Sequence, residues 1–138
     1  MLGLLAGMQP PAHKILVIED DPDTRAQLNL LLRKHGYLPM SASSGEQAID
    51  LAANAHPDLI LLDLGLPGID GWLTLRLLRD LTPTANVPVI VVTAYDEVRN
   101  RVQGYLTDVS EFVTKPFQPQ KLVATIRSLL QEGAGALA

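Results

Sequence analysis

The stretch PDLILLDLGLPGIDGW, residues 57–72, decides how the rest of the chain is interpreted. Its segment Leu59–Leu62 is an uninterrupted aliphatic run, which is typical of a strand buried on both faces of a sheet. The run leads directly into Asp63, although carboxylates are seldom buried without a partner. Either the strand ends at Leu62 and Asp63 is an ordinary residue, or the strand holds a carboxylate at a functional site.

The composition favours one globular domain. A chain of 138 residues buries a single core of ordinary size. Hydrophobic residues make up 47% and charged residues 19%, which is typical of a folded protein. The net charge of -4 provides no basic field that would hold nucleic acid non-specifically. Because the chain has no cysteine, disulfides and cysteine-based zinc sites are excluded, and a reducing, cytoplasmic location fits.

Both ends of the chain are predicted to lie outside the folded domain. Residues 1–13 lack the positive region of a signal peptide and are predicted to be a flexible leader. Residues 14–131 are predicted to form the domain, and residues 132–138, EGAGALA, a tail or the start of a linker. No stretch approaches the ~18 apolar residues that are needed to span a bilayer.

Strand-like and helix-like segments alternate along the predicted domain. The strand-like runs are KILVIE (14–19), YLPMSAS (37–43), LILL (59–62), VPVIVV (87–92) and EFVT (111–114). Helix-like segments follow them over residues 20–36, 44–55, about 72–81, about 97–106, and from residue 119 onward. This alternation predicts a parallel sheet that is covered by helices on both faces. Pro39 places the second strand at an edge of that sheet.

The predicted helices carry recognisable boundary signals. Asp21 is predicted to cap the first helix, with Pro22 in its first turn. Ser44 and Gln47 have the spacing of a capping box at the start of the second helix. One face of the first helix carries, at helical spacing, the residues Leu28, Leu31, Leu32 and His35. His35 lies at the end of that helix, where a cation suits the helix dipole, and is expected to be structural or solvated.

Polar side chains follow four of the five predicted strands. Ligands of open parallel sheets bind beyond the carboxyl ends of the strands, where the strand order reverses. The residues at these ends are Glu19, Asp20, Asp21, Asp63, Thr93 and Lys115. Neighbouring parallel strands are ~5 Å apart, so carboxylates at their ends repel one another unless a cation joins them. Each residue alone has an ordinary structural explanation, but their shared position favours a site that binds Mg²⁺, which prefers oxygen ligands.

These motifs resemble those of the receiver domain of two-component response regulators. ILVIEDDPDTR resembles the family's acidic motif, and PDLILLDLGLPGIDG resembles its phospho-acceptor motif. VIVVTA and FVTKPF resemble its switch-threonine and lysine motifs, and the resemblance covers roughly residues 14–130. It implies a flavodoxin-like (βα)5 fold, a three-layer α/β sandwich around a five-stranded parallel sheet with the strand order 2-1-3-4-5.

The resemblance implies a phosphorylation-dependent signalling switch. Asp63 would accept a phosphoryl group from a histidine kinase or a histidine phosphotransfer protein. Glu19, Asp20, Asp63 and the backbone carbonyl of Gly65 would hold Mg²⁺, and Lys115 would contact the phosphoryl oxygens. Such a receiver is not an enzyme with a separate substrate, since it catalyses its own phosphoryl transfer from the donor and its own dephosphorylation.

The resemblance also implies how the signal leaves the site. Thr93 would turn toward the phosphoryl group, and Phe112 would move inward behind it. The surface around the fourth predicted helix (97–106), the fifth strand and the final helix would then bind a downstream protein target or a second copy of the chain. Gly65 and Tyr95 would tune the lifetime of the phosphorylated form, and the Lys115–Pro116 bond would be cis. No direct nucleic acid or membrane partner is implied.

Three rival interpretations are weighed against this one. A flavodoxin would cradle phosphate in its first loop, but the loop EDDPD would repel it. A phosphatase of the haloacid dehalogenase type would need a second aspartate two residues after the nucleophile, where this chain has Gly65. The third is a receiver-like interaction module that acts without phosphorylation, and it stays as the alternative.

Overall fold

The computed structural model describes residues 12–94 and 109–137, and these residues build a parallel sheet with helices on both faces. The strands are β1 (Lys14–Ile18), β2 (Leu38–Ala42), β3 (Leu59–Leu62), β4 (Val89–Thr93) and β5 (Glu111–Thr114). The helices are α1 (Pro22–Lys34), α2 (Gly45–Ala55), α3 (Gly71–Asp80) and α4 (Pro119–Leu137), with a 3-10 turn at Thr82–Thr84. The strand order is β2-β1-β3-β4-β5 with every pair parallel, which confirms the predicted fold.

β3 lies at the centre of the sheet and is buried on both faces, as its aliphatic run predicts. Its side chains alternate between two apolar clusters, with Ile60 and Leu62 in one and Leu59 and Leu61 in the other. All four residues are at most 1% exposed, and burying each such side chain stabilises the fold by roughly 1.5–3 kcal/mol. The strand that precedes Asp63 is therefore among the most firmly held parts of the chain.

The position of β2 and the first residues of α1 and α2 also agree with the sequence predictions. β2, which contains Pro39, lies at an edge of the sheet. The side chain of Asp21 accepts a hydrogen bond from Thr24 N at 2.9 Å and caps α1. Ser44 caps α2 by accepting from Gln47 N at 3.2 Å. The Gln47 side chain accepts from Ser43 N at 2.8 Å, so the reciprocal bond of the capping box reaches one residue before the cap.

The ends of α1 and α4 bear on two sequence predictions. His35 follows the last residue of α1 and is exposed, which agrees with its predicted position at a helix end, and Gly36 then turns the chain with φ 87°. α4 extends to Leu137 and thus through most of the predicted tail, although the domain boundary at residue 131 stays a prediction. The predicted helix over residues 97–106 lies outside the described residues.

Among the helices that the structure describes, none combines the length and the apolar character that crossing a membrane requires.

Candidate functional site

The backbone of the sheet fixes the position of two carboxylates at its carboxyl edge. Asp63 N donates to Ile18 O at 3.0 Å, and Glu19 N donates to Ala42 O at 3.0 Å. Both residues thus extend the hydrogen-bonded ladders one position past the ends of β3 and β1. Their exposed fractions are 9% and 2%. The central strands therefore hold two largely desolvated carboxylates next to each other.

A third carboxylate completes an acidic cluster. Glu19, Asp20 and Asp63 each present an oxygen atom, and these oxygens lie within 4.8 Å of one another. Glu19 and Asp63 are buried, whereas Asp20 is exposed and opens the cluster to solvent. Hard divalent cations such as Mg²⁺ bind oxygen donors of this kind. The structure brings together the three carboxylates that the sequence predicts.

Lys115 neutralises part of the negative charge of this cluster. Its Nζ lies 2.5 Å from Glu19 Oε1 and 3.0 Å from Asp63 Oδ2. The backbone holds it there, since Lys115 N donates to Thr93 O at 2.9 Å. The Lys115–Pro116 peptide bond is cis, as the sequence resemblance implies. Lys115 therefore joins the end of β5 to the carboxylates at the ends of β1 and β3.

Backbone N–H groups satisfy the remaining oxygens of the two buried carboxylates. Gly65 N donates to Asp63 Oδ1 at 3.0 Å, and Asp21 N donates to Glu19 Oε2 at 3.3 Å. With the two contacts of Lys115, each of the four oxygens of Glu19 and Asp63 has a donor. This matters because a buried polar atom without a partner costs about 1–3 kcal/mol.

The pKa values of the two buried carboxyl groups shift in opposite directions. Burial raises the pKa of Glu19 to about 7, the adjacent Asp63 adds to the rise, and Lys115 opposes it. Burial also acts to raise the pKa of Asp63, but hydrogen bonds from Gly65 N–H, Glu19 and Lys115 outweigh it and lower that pKa. The pKa of Lys115 is raised, because its contacts with both carboxylates outweigh its burial. Burial thus disfavours the charged form of Glu19, whereas the donors around Asp63 favour its ionised form.

Sequence reasoning missed one residue of the site. Arg25, in α1, donates from Nη1 to Glu19 O at 2.8 Å and to Asp20 O at 3.3 Å. It thereby ties down the turn that carries two of the three acidic residues. Arg25 lies one turn into α1, just after the acidic run, and this position in the sequence could have indicated the contact.

The remaining predicted site residues surround the cluster. Thr93 ends β4, is 2% exposed and pairs with Thr114 of β5. Phe112 lies in β5 and is half-buried. Gly65 is exposed, and a Cβ added there would meet nothing within 4 Å except Asp63 Oδ1, at 3.7 Å. Tyr95 lies outside the described residues.

Comparison with known proteins places these features in a family context. The family model for the response regulator receiver domain matches residues 15–127. The phosphate regulon transcriptional regulatory protein PhoB of Klebsiella pneumoniae is 37% identical over 120 residues, which are 87% of this chain and 52% of PhoB. The chain thus spans about half the length of the curated relatives it matches.

Solved structures show the same similarity. A CheY-like response regulator receiver domain protein from Methanospirillum hungatei JF-1 superposes with a TM-score of 0.85 at 25% identity, covering 91% of this chain and 99% of that one. The receiver domain of the sensor histidine kinase PA1611 from Pseudomonas aeruginosa PAO1 gives 0.80 at 28% identity, over 87% and 98% of the two chains. That structure contains a magnesium ion coordinated in the active site cleft.

Proposed function

The chain belongs to the response regulator receiver domain family, and we propose that it is a phosphorylation-dependent switch in which Asp63 accepts a phosphoryl group. The observation that carries this proposal is the position of Lys115 Nζ, in contact with two buried carboxylates at adjacent strand ends. An ionised Asp63 beside a fixed cation suits the transfer of an anionic group, because that reaction depends mainly on positioning and charge neutralisation.

The acidic cluster fits Mg²⁺. Its oxygens are the hard donors that this ion prefers. Burial is the main cause of the raised pKa of Glu19, and the adjacent Asp63 adds to it, so a cation bound there would favour the ionised carboxylates. Glu19, Asp20, Asp63 and the backbone carbonyl of Gly65 would hold the ion. When bound, it would supply positive charge for the phosphoryl oxygens. The magnesium-containing receiver domain of PA1611 supports this assignment.

The donor would be a phosphohistidine on a histidine kinase or a phosphotransfer protein. One oxygen of Asp63 forms the new O–P bond while the P–N bond to the donor's imidazole breaks, and the electron pair of that bond stays on the nitrogen. Lys115 meets the negative phosphoryl oxygens from the side of β5. The lowered pKa of Asp63 keeps this carboxylate unprotonated for the attack. Water later attacks the phosphorus of the acyl phosphate, the O–P bond to Asp63 breaks, and inorganic phosphate leaves, so Asp63 returns to a free carboxylate.

A groove next to Lys115 offers the donor protein a place to bind. It has a volume of about 910 Å³ and is lined on one side by α1, including Leu30 and Leu31, and on the other by Lys115 and Pro116. Leu30 is 71% exposed, the largest value among the exposed large hydrophobic residues that the structure describes. Because Lys115 borders both the groove and the cluster, a helix of the donor protein that covers Leu30 would bring its phosphohistidine close to Asp63.

The output of the switch would be altered protein binding in the cytoplasm. Thr93 and Phe112 lie on adjacent strands beside the cluster, which suits two alternative packings whose balance phosphorylation shifts. The affected surface would include β5 and α4, and it would bind a downstream target or a second copy of the chain. The segment 97–106, which the sequence resemblance also assigns to this surface, lies outside the described residues.

Acetyl phosphate with Mg²⁺ tests the proposal directly. Intact-mass spectrometry should show the addition of one phosphoryl group to the wild-type chain and to Asp50→Asn, a control on the exposed face of α2. Asp63→Asn should show no addition. If the folded wild type is never modified, the chain acts instead as an interaction module independent of phosphorylation. If Asp63→Asn is modified as fast as the wild type, Asp63 is not the acceptor.

A further inference from the structure

Trp72 contacts the side chain that the proposed switch moves. Its indole and the ring of Phe112 have centroids 6.5 Å apart and planes tilted by 53°, a separation at which aromatic side chains attract each other. Both residues are half-buried and pack against the same apolar cluster on one face of the sheet. Trp72 is the only tryptophan of the chain. The contact joins the start of α3 to β5, although 40 residues separate Trp72 from Phe112 in the chain.

The residue before Trp72 rests on the backbone of the phospho-acceptor. Gly71 N donates to Leu64 O at 3.3 Å. A Cβ at residue 71 would lie 2.6 Å from Leu64 Cα and 2.8 Å from Asp63 O, so only glycine allows this approach. These neighbours are backbone atoms that cannot move aside independently. Because protein interiors are close-packed, a backbone shift at Asp63 must be matched by the first turn of α3.

The sheet alone connects Asp63 to Phe112 less directly. Leu62, Val91 and Phe112 are in register across β3, β4 and β5, so Phe112 lies two strand spacings, about 10 Å, from Leu62. Coupling between Asp63 and Phe112 through Thr93 must act across β4. Coupling through Gly71 and Trp72 uses the packing of α3 on the sheet and contacts the ring of Phe112 from the helix side.

We propose that Trp72 is a positioning residue of the switch, which holds the ring of Phe112 and couples it to the backbone of Asp63 through Gly71. This inference rests on the proposed function, since it concerns how a modification of Asp63 reaches Phe112. It adds a second path to the one that passes through Thr93. Phosphorylation then changes the packing of the Trp72–Phe112 pair.

Fluorine NMR tests this inference without perturbing the site. The chain has two phenylalanines, Phe112 and Phe117, so labelling with 4-fluorophenylalanine gives one reporter and one internal control. Beryllofluoride, which stands in for the phosphoryl group, is added with Mg²⁺, and its own bound fluorine signals report occupancy of Asp63. We expect it to shift the Phe112 resonance of the wild type. In Trp72→Leu this shift should fall at least twofold, and Trp72→Tyr should restore it.

The outcomes separate this inference from the proposed function. If the folded wild type gives no bound beryllofluoride signal, the proposed function fails, and the inference fails with it. If wild type and Trp72→Leu both bind beryllofluoride and their Phe112 shifts are equal, the inference is wrong while the function stands.

A second measurement keeps Trp72 in place. Its intrinsic fluorescence should change when beryllofluoride and Mg²⁺ are added to the wild type and to the control Phe117→Leu. In Phe112→Leu this change should fall at least twofold. An equal change in the two leucine variants would overturn the inference even if Trp72→Leu failed to fold.

Discussion

The bodies of the central strands and their carboxyl ends are buried to a similar degree, but burial has opposite consequences in the two regions. Ile18 and Glu19 are adjacent and are 1% and 2% exposed; Leu62 and Asp63 are adjacent and are 0% and 9% exposed. In the strand bodies, burial removes apolar surface from water and stabilises the fold. At the strand ends, burial desolvates carboxylates and raises the pKa of Glu19 to about 7.

The difference shows how a stable sheet can sustain an unfavourable charge cluster. The apolar residues on both faces of β3 fix the strand, and the hydrogen bond from Asp63 N to Ile18 O then fixes the carboxylate. The cluster therefore depends on that rigidity. Substitutions in the strand bodies should therefore affect stability, and substitutions at the strand ends should affect phosphorylation.

Leu61→Ala should have the largest effect and should act on stability alone. Leu61 is 1% exposed and packs in the cluster covered by α1 and α4, and truncating such a residue costs about 2–5 kcal/mol. Urea denaturation should show this loss in the free energy of unfolding. At a temperature where the variant is folded, its acetyl phosphate reaction should stay within about twofold of the wild type.

Leu73→Ala is the matched control for that experiment, since Leu73 is 40% exposed on α3. Its free energy of unfolding should change by no more than about 0.5 kcal/mol. If Leu61→Ala left stability unchanged but abolished phosphorylation, the proposed division of roles between strand bodies and strand ends would be wrong.

Lys115→Met should have the next largest effect, and it should act on the chemistry. The variant loses the cation that contacts both buried carboxylates, and removing one charge-stabilising group from a reaction site typically slows the reaction about 10²–10³-fold. Mass spectrometry of the acetyl phosphate reaction measures the rate. Lys121→Met, at an exposed position of α4, should react like the wild type. A Lys115→Met rate within twofold of the wild type would remove Lys115 from the proposed mechanism.

The same comparison explains what the sequence could predict. An aliphatic run of four residues predicts a strand that is buried on both faces. The alternation of strands with helices predicts a parallel sheet. Together these two patterns predict that Glu19, Asp20 and Asp63 lie close together. The contact of Arg25 did not follow, because a long side chain reaches several backbone oxygens and only the folded turn selects among them. The Trp72 contact was equally hidden, since it joins residues distant in the chain.

Local signals are weakest where two tendencies compete. Residues 132–137 mix alanine, which favours a helix, with glycine, which disfavours it by about 1 kcal/mol. The composition predicted a tail or the start of a linker, and α4 continues to Leu137, so the domain boundary at residue 131 stays a prediction.

A pH titration of stability should reveal the cost of burying Glu19. Its folded-state pKa of about 7 lies above the ordinary value of 4.5, so the folded state binds the extra proton between these limits. In metal-free buffer, this proton adds on the order of 1–3 kcal/mol to the free energy of unfolding. The addition is fully present below pH 4.5 and is lost as the pH rises through about 7. Urea denaturation of the wild type and of Glu19→Gln, each with EDTA, measures the difference.

Between pH 4.5 and about 7, the free energy of unfolding of Glu19→Gln should change less with pH than that of the wild type, because glutamine does not titrate. Addition of Mg²⁺ should flatten the wild-type curve, because the cation favours the ionised carboxylate. Parallel curves for the two proteins without metal would mean that burial at the strand end has no such cost.

The smallest effect is expected just outside the cluster, where apolar surface is exposed. Leu30→Ser should slow transfer from a phosphorylated donor protein about tenfold, the equivalent of about 1.4 kcal/mol, because Leu30 is 71% exposed beside the groove that Lys115 borders. Transfer from acetyl phosphate should not change, since a small donor needs no docking surface. Leu73→Ser, on the exposed face of α3, should leave both reactions unchanged. If Leu30→Ser slowed both donors equally, Leu30 would act through the cluster, and the groove would lose its proposed role in binding the donor protein.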